Sequence, residues 1–219
     1  MSGRIIAIGD IHGCLAALQA VLAAVDPQPE DTVITVGDYA DRGPDVRGVL
    51  ESLIAVSKQT RLVSLLGNHD EMMLDICLGR MDLLADWMLF GGDATLASYG
   101  SRNPADVWPT HIDFLSRCPL ACETERHFFV HANYRADMPL DKLPREVLLW
   151  ESLKRHVPGP HISGKTAIMG HTAQKTGDVL DLGHLKCIDT WCYGDGWLTA
   201  LDVESGQLWQ ANKKGVLRK

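Results

Sequence analysis

Hydrophobic positions in this chain fall into short runs that stop abruptly. "RIIAI" (4–8) is a mostly apolar run, the length of a buried strand and too short for a helix. "CLAALQAVLAAV" (14–25) then places apolar residues at helical spacing among strong helix formers. After the loop "DPQPED", the alternation repeats: "TVITV" (32–36) reads as a strand and "DVRGVLESLIAV" (45–56) as a helix. "RLVSLL" (61–66) reads as a strand and "EMMLDICL" (71–78) as a helix. Strand and helix repeated with short loops predict parallel α/β units. Residues 82–117 predict a helical cap or insertion over the sheet, broken at "SRNP". "PLACETERHFFVHANY" (119–134) switches to strand character, and "DKLPREVLLWESLKRH" (141–156) predicts one helix. "TAIMGHT" (166–172) predicts a further strand, followed by short strands in "DVLDL" and "LKCID". "WLTALDVESGQLWQA" (197–211) predicts a hairpin turning at "ESGQ". With no internal repeat, low-complexity tract or linker, the expectation is one α/β domain over residues 1–219.

Composition narrows the classes. Of 219 residues, 46% are hydrophobic and 22% charged, as in an ordinary soluble domain. The net charge of −7 does not suit non-specific nucleic-acid binding, which needs a basic face. No apolar run approaches the roughly 20 residues that span a bilayer, so no membrane partner is expected. The opening "MSGRIIAIGD" lacks a signal-peptide layout, and the expected location is cytoplasmic. None of the six cysteines forms a C-x-x-C pair, so they read as packing thiols, Cys14 at a helix start among them.

The chemistry is concentrated where the strands end. The first ends in "GDIHG" (9–13), the second in "GDYADRG" (37–43) and the third in "GNHDE" (67–71), and later strands run into "VHANY" and "GHT". Parallel strands of one sheet bring their carboxyl ends to one edge, where α/β sheets bind ligands. Five strand ends would deliver Asp10, His12, Asp38, Asp41, Asn68, His69, His131 and His171 to one place. Carboxylates, imidazoles and an amide, with no thiolate, suit Mn, Fe, Co or Zn. Singly, each piece has a plainer meaning. A Gly-Asp after a strand is a turn, "DRG" an exposed ion pair, and "GNHDE" a helix start capped by Asn68. Their joint occurrence points to a site.

At these residues the sequence resembles the metal-dependent phosphoprotein phosphatase family, whose members read G-D-x-H-G, G-D-x-x-D-R-G and G-N-H-[E/D], then two separated histidines. The likeness is to the compact bacterial and phage members, the lambda-like serine/threonine protein phosphatases. It extends to "W-x-L-x-G-G" at 87–92 and to the C-terminal hairpin. The resemblance implies a β-sandwich flanked by helices and a two-metal hydrolase, with Mn the expected ion and Fe, Zn or Co the other candidates. By it, Asp10, His12 and Asp38 would bind one ion. Asp38 would bridge to a second, held also by Asn68, His131 and His171. A water between the ions would become the nucleophile. His69 would act as general acid, oriented by Asp41, and Arg42 with Asn68 would hold the phosphate.

The chain departs from the family at a second phosphate-binding arginine. Ser152 occupies that position; Lys154, Arg155 or Lys165 could replace it, or the second clamp is absent and phosphate binding weaker. Asn133 beside His131 reads as a rim or plain loop residue, and Trp191, Tyr193 and Trp197 as cleft or core aromatics. The resemblance implies a phosphoprotein or small phosphoester as substrate, most directly phosphoserine and phosphothreonine in proteins. Symmetrical cleavage of diadenosine tetraphosphate at the same site is the alternative. A catalytically decayed metal- or phosphate-binding module is the reading from another class.

Overall fold

The computed structural model describes residues 3–219 and contains two five-stranded mixed sheets with helices on their outer faces. The first sheet has strands β1 (Ile5–Ile8), β2 (Thr32–Thr35) and β3 (Arg61–Ser64) in parallel, with β9 (Leu198–Asp202) antiparallel on the other flank of β1 and β10 (Leu208–Ala211) antiparallel to β9. Its order is β10-β9-β1-β2-β3. The second sheet contains β4 (Ala121–Glu123), β5 (His127–Val130), β6 (Thr166–Met169), β7 (Leu180–Asp181) and β8 (Leu185–Cys187), in the order β4-β5-β6-β8-β7.

β1, β5 and β6 read as near-continuous apolar runs because both of their faces are buried. Ala7, Ile34, Phe129, Ile168 and Leu201 pack together between the sheets. Ile6, Ile8 and Val33 turn the other way, onto helices α1 (Leu15–Val25), α2 (Val46–Val56) and α3 (Asn68–Cys77). Phe128, Val130, Ala167 and Met169 pack under α7 (Arg145–Trp150) with Leu148. The β-sandwich flanked by helices that the resemblance implies is therefore the observed fold.

Two readings of the sequence need correction. The motif-bearing strands do not share one sheet: β1, β2 and β3 belong to the first, β5 and β6 to the second. The hairpin β9–β10 fills the flank of β1 that a doubly wound sheet would give to another parallel strand. The helix expected over 141–156 spans only Arg145–Trp150, because Glu151 is extended (φ −80°, ψ 112°) and the Leu153 N–H donates to Thr172 Oγ1 at 3.0 Å. Side-chain competition for backbone groups ends the helix there. The segment between α3 and β4 is helical in short pieces, α4 (Leu84–Trp87), α5 (Asp93–Ser98) and α6 (Pro109–Ser116), with a wide turn at Met88–Gly92. No helix among the described residues is long and apolar enough to cross a membrane.

Candidate active site

The loops leaving β1, β2, β5 and β6 and the first turn of α3 converge where the two sheets open. Much of this backbone is in the left-handed region. Among the described residues, the non-glycine positions with positive φ are His12, Asp38, Asp41, Arg42 and His171, together with Asp26 and Trp191. Five of those seven are site residues. Each costs on the order of 1–3 kcal/mol, and such strain persists only where the surroundings fix it. Here part of the fixing comes from Asp70, in the first turn of α3. Its carboxylate accepts N–H bonds from Asp38 (2.8 Å), Tyr39 (2.9 Å), Ala40 (3.1 Å) and Gly67 (2.9 Å), which holds the "GDYADRG" loop.

The central cluster is a set of acceptors facing one another. His12 Nδ1 donates to Ala40 O and His131 Nδ1 to Val36 O, both at 2.8 Å. Burial holds both imidazoles below the ordinary histidine range, and with Nδ1–H donating, the neutral ring offers Nε2 as an acceptor. His131 Nε2 lies 3.0 Å from Asn68 Oδ1 and 3.4 Å from Asp38 Oδ1. His12 Nε2 lies 3.4 Å from Asp38 Oδ2. His171 Nδ1 lies 3.0 Å from the same Asn68 Oδ1, and burial together with His131 pushes its pKa down to about 4. Buried lone pairs at such distances repel unless a cation lies among them. Asp38 sits between the two groups, and although burial alone would raise its pKa, the surrounding imidazoles hold it below the usual carboxylate range. Asp10 is 2% exposed, receives the His171 N–H on Oδ2 at 2.9 Å, and keeps Oδ1 buried without a hydrogen-bond partner. His12, Asp38 and His69 form one potential metal-holding group, and Asp38, His131 and His171 another. The nitrogen and oxygen donors sharing Asp38 fit two divalent first-row ions.

His69 and Asp41 form a dyad beside this cluster. His69 Nδ1 donates to Asp41 Oδ2 at 2.7 Å, and the Asp41 carboxylate is itself clamped from the helical segment. Trp87 Nε1 donates to Asp41 Oδ1 at 2.9 Å, and Thr95 Oγ1 donates to it at 2.7 Å while accepting from Asp41 N at 2.9 Å. Burial would lower the His69 pKa, but Asp38 and the hydrogen bond to Asp41 outweigh it and raise the pKa above the ordinary value. The Arg42 guanidinium lies under the face of Tyr193 at 4.4 Å, with one nitrogen 2.8 Å from His12 Nε2 and the other 2.8 Å from His69 Nε2. Gly91 (φ 106°) passes so close to Arg42 that a Cβ there would lie 2.7 Å from its backbone nitrogen.

The eight strand-end residues are thus brought together, with Arg42. Asp70, Trp87 and Thr95, which brace this arrangement, are positions the sequence reading missed. Trp87 was visible only as part of "W-x-L-x-G-G", and Asp70 only as an acid in a first helical turn. The replacements considered for the second arginine fare less well. Lys165 precedes β6, at the end opposite His171, and pairs with Glu123 at 2.6 Å. Lys154 and Arg155 lie beyond the end of α7 and are exposed, so no helical turn carries them to the site. Ser152 Oγ is 3.2 Å from Thr172 Oγ1. Asn133 donates to His156 O at 2.9 Å and is a loop brace. Trp197 stacks with Arg218 at 5.5 Å, while Tyr193 borders the site, its ring 5.0 Å from His12.

A two-sheet sandwich with clustered Asp, His and Asn at its strand ends is the layout of a metallophosphoesterase. The profile of the calcineurin-like phosphoesterase family matches residues 3–195, and the chain belongs to that family. It is 29% identical over 206 residues to serine/threonine-protein phosphatase 1 of Salmonella typhimurium, covering 90% of each chain. It is 32% identical over 209 residues to a symmetrical bis(5'-nucleosyl)-tetraphosphatase of Janthinobacterium, covering 91% of this chain and 70% of that one. Among solved structures, a putative diadenosine tetraphosphatase superposes with a TM-score of 0.72 at 24% identity, over 96% of this chain and 94% of the other.

Proposed function

We propose that this phosphoesterase hydrolyses phosphomonoesters, with phosphoserine and phosphothreonine in proteins as its substrates, by direct transfer of the phosphoryl group to water. Asp10, His12 and Asp38 would hold one divalent ion, and Asp38, Asn68, His131 and His171 a second, with manganese the preferred metal. Such ions supply a nucleophile from water at neutral pH and neutralise charge on phosphate oxygens. The chain's own groups do the rest. Arg42 forks onto the phosphate, its guanidinium against the face of Tyr193 and its backbone N–H donating to Gly91 O. Asn68 adds an amide donor. His69, its tautomer set by Asp41, protonates the leaving alkoxide from Nε2. The observation that carries this reading is the His69–Asp41 dyad standing directly against Arg42, an acid beside an anion clamp.

Relative length favours the protein phosphatase over the dinucleotide hydrolase. The chain spans 90% of the phosphatase relative but 70% of the tetraphosphatase. The higher identity to the latter keeps symmetrical cleavage of diadenosine tetraphosphate as the second reading. The six cysteines are all free, which suits the cytoplasm as compartment. Rates on a phosphoserine peptide and on diadenosine tetraphosphate, measured with Mn²⁺, decide between them. Faster release of two ADP would overturn the protein-phosphatase reading. Asp38→Asn should lose turnover and metal together, and retained turnover would refute the ligand assignment. A His69→Asn protein with no loss of turnover would refute the acid.

A further inference from the structure

Three consecutive apolar side chains stand exposed beside the general acid. Met88, Leu89 and Phe90 are 38%, 85% and 47% exposed, in the wide turn between α4 and α5. A run of exposed apolar residues does nothing for a fold and marks a contact surface. This turn is anchored at both ends. Before it, Trp87 is fully buried and donates Nε1–H to Asp41. After it, Gly91 O accepts the Arg42 N–H at 3.3 Å, and a Cβ on Gly92 would lie 2.5 Å from the Trp87 indole. The loop that carries Asp41 and Arg42 therefore holds the apolar residues against the site.

The rings at the site follow one another in order. Tyr193 packs edge-on against His12 with centroids 5.0 Å apart, His12 against His69 at 4.8 Å, and His69 against Phe90 at 6.1 Å. Arg42 spans the middle pair, one nitrogen 2.8 Å from each Nε2. A phosphate held by Arg42 has Tyr193 on its His12 side and Phe90 on its His69 side. With His69 as the acid, the leaving oxygen departs toward His69, and the group it carries passes over Phe90 and Leu89. The charge around this lip has one sign. Residues 81–100 contain three aspartates and no lysine or arginine, and Asp86 and Asp93 stand exposed on either side of the turn. An apolar surface edged by carboxylates accommodates an uncharged group and repels an anionic one.

We propose that Leu89 and Phe90 form a leaving-group subsite that selects phosphoesters whose leaving group presents an uncharged apolar surface. In a phosphoprotein that surface is an apolar residue next to the phosphoserine or phosphothreonine. A leaving group that is itself anionic, such as a nucleoside diphosphate, is disfavoured at the same lip. The proposal rests on the reading of His69 as the acid and Arg42 as the phosphate clamp, and it adds a discrimination that neither residue supplies. Contacts made by one aromatic ring of this kind change affinity by about 2–10-fold.

The test uses the full-length, manganese-loaded protein and two non-hydrolysable probes, benzylphosphonate and methylphosphonate, titrated calorimetrically. Both present the same phosphoryl oxygens, and in the first a methylene replaces the ester oxygen and carries a ring to the leaving-group side. Benzylphosphonate should bind about 3–10-fold tighter than methylphosphonate. Phe90→Ser and Leu89→Ser should each bring that ratio toward one, and Phe90→Tyr should keep it. In turnover, a phosphoserine peptide with leucine beside the phosphorylated residue should exceed one with glutamate there by about 3–10-fold in kcat/KM, and Phe90→Ser should narrow the gap by slowing the leucine peptide. No advantage for benzylphosphonate in the parent protein, an advantage that both serine variants retain, or the two peptides hydrolysed at equal kcat/KM would overturn the proposal. The phosphonate titration needs no turnover, so it judges the lip even where neither peptide is hydrolysed, a result that would refute the protein-phosphatase reading instead.

Discussion

Replacing Gly170 by alanine asks one methyl group to test the placement of Asp10. A Cβ at this position would lie 1.9 Å from Asp10 Oδ1 and 2.9 Å from Val36 Cγ2. Ordinary contact begins near 3.4 Å, so something must retreat by about 1.5 Å. The backbone is the poorer candidate, because Gly170 N is fixed to His131 O at 2.9 Å. The Asp10 carboxylate therefore turns away, and its bond from His171 N at 2.9 Å is lost with it. Losing an aligned ligand or its outer partner lowers metal affinity about 10–100-fold, and a shift of this size lowers turnover by about 100-fold. Overpacking should cost a further 1–3 kcal/mol or so of stability. Calorimetric titration with Mn²⁺, bound-metal analysis and aryl-phosphate turnover read these effects, with Gly159→Ala as control, since a Cβ there meets open space. A Gly170→Ala protein that binds metal and turns over like the parent would refute the placement of Asp10.

Three further outcomes are expected. In Asp41→Asn, His69 loses groups that raise its pKa; a general acid is lost as pH rises through its pKa, so the alkaline limb of the rate profile should move to lower pH. A limb that stays put would remove Asp41 from its orienting role. Thr95→Val deletes a donor to the Asp41 carboxylate and leaves the Asp41 N–H buried and unpaired, which should cost about 2–4 kcal/mol of stability and lower kcat more than KM changes. Urea unfolding and steady-state kinetics check both, and an unchanged kcat would make Thr95 structural only. Asp31 accepts from Arg4 N at 2.7 Å, Gln28 N at 2.9 Å and the Arg4 guanidinium, so Asp31→Ala should lose about 2–4 kcal/mol. Burial would raise the Asp31 pKa, but the Arg4 and backbone bonds outweigh it and hold it below 3.8. The stability gap should therefore be full above about pH 4 and close as pH falls through the depressed value.

Local chemistry made the site readable. Each motif sits directly after its strand, and period and punctuation in the sequence locate β1, β2, β3, β5 and β6 to within a few residues. The division of those strands between two sheets was not readable, because it depends on β9 pairing with β1 across most of the chain. Periodicity reports which faces are buried but not which strand lies alongside. The clamp on Asp41 escaped for the same reason. Trp87 and Thr95 lie 46 and 54 residues away in sequence, and an indole or hydroxyl in a helical segment carries no mark of its partner. Asp70 looks like any acid in a first helical turn until the loop it bonds is folded over it. The early end of α7 rests on Thr172, more than twenty residues further on, while the sequence of 151–156 alone is compatible with helix.

The pairing of β1 with β9 also sets a schedule. Ala7 faces Leu201 in the register, so the strand that opens the first motif has a bare edge until the final hairpin has been synthesised. At about 5–20 residues per second, a ribosome takes on the order of 10–40 s to bridge that interval. For all of that time an apolar strand stands open beside nascent neighbours that could pair with it. The β9–β10 hairpin is therefore what closes that edge, and a chain stalled before it would be left with a sticky strand beside Asp10 and His12.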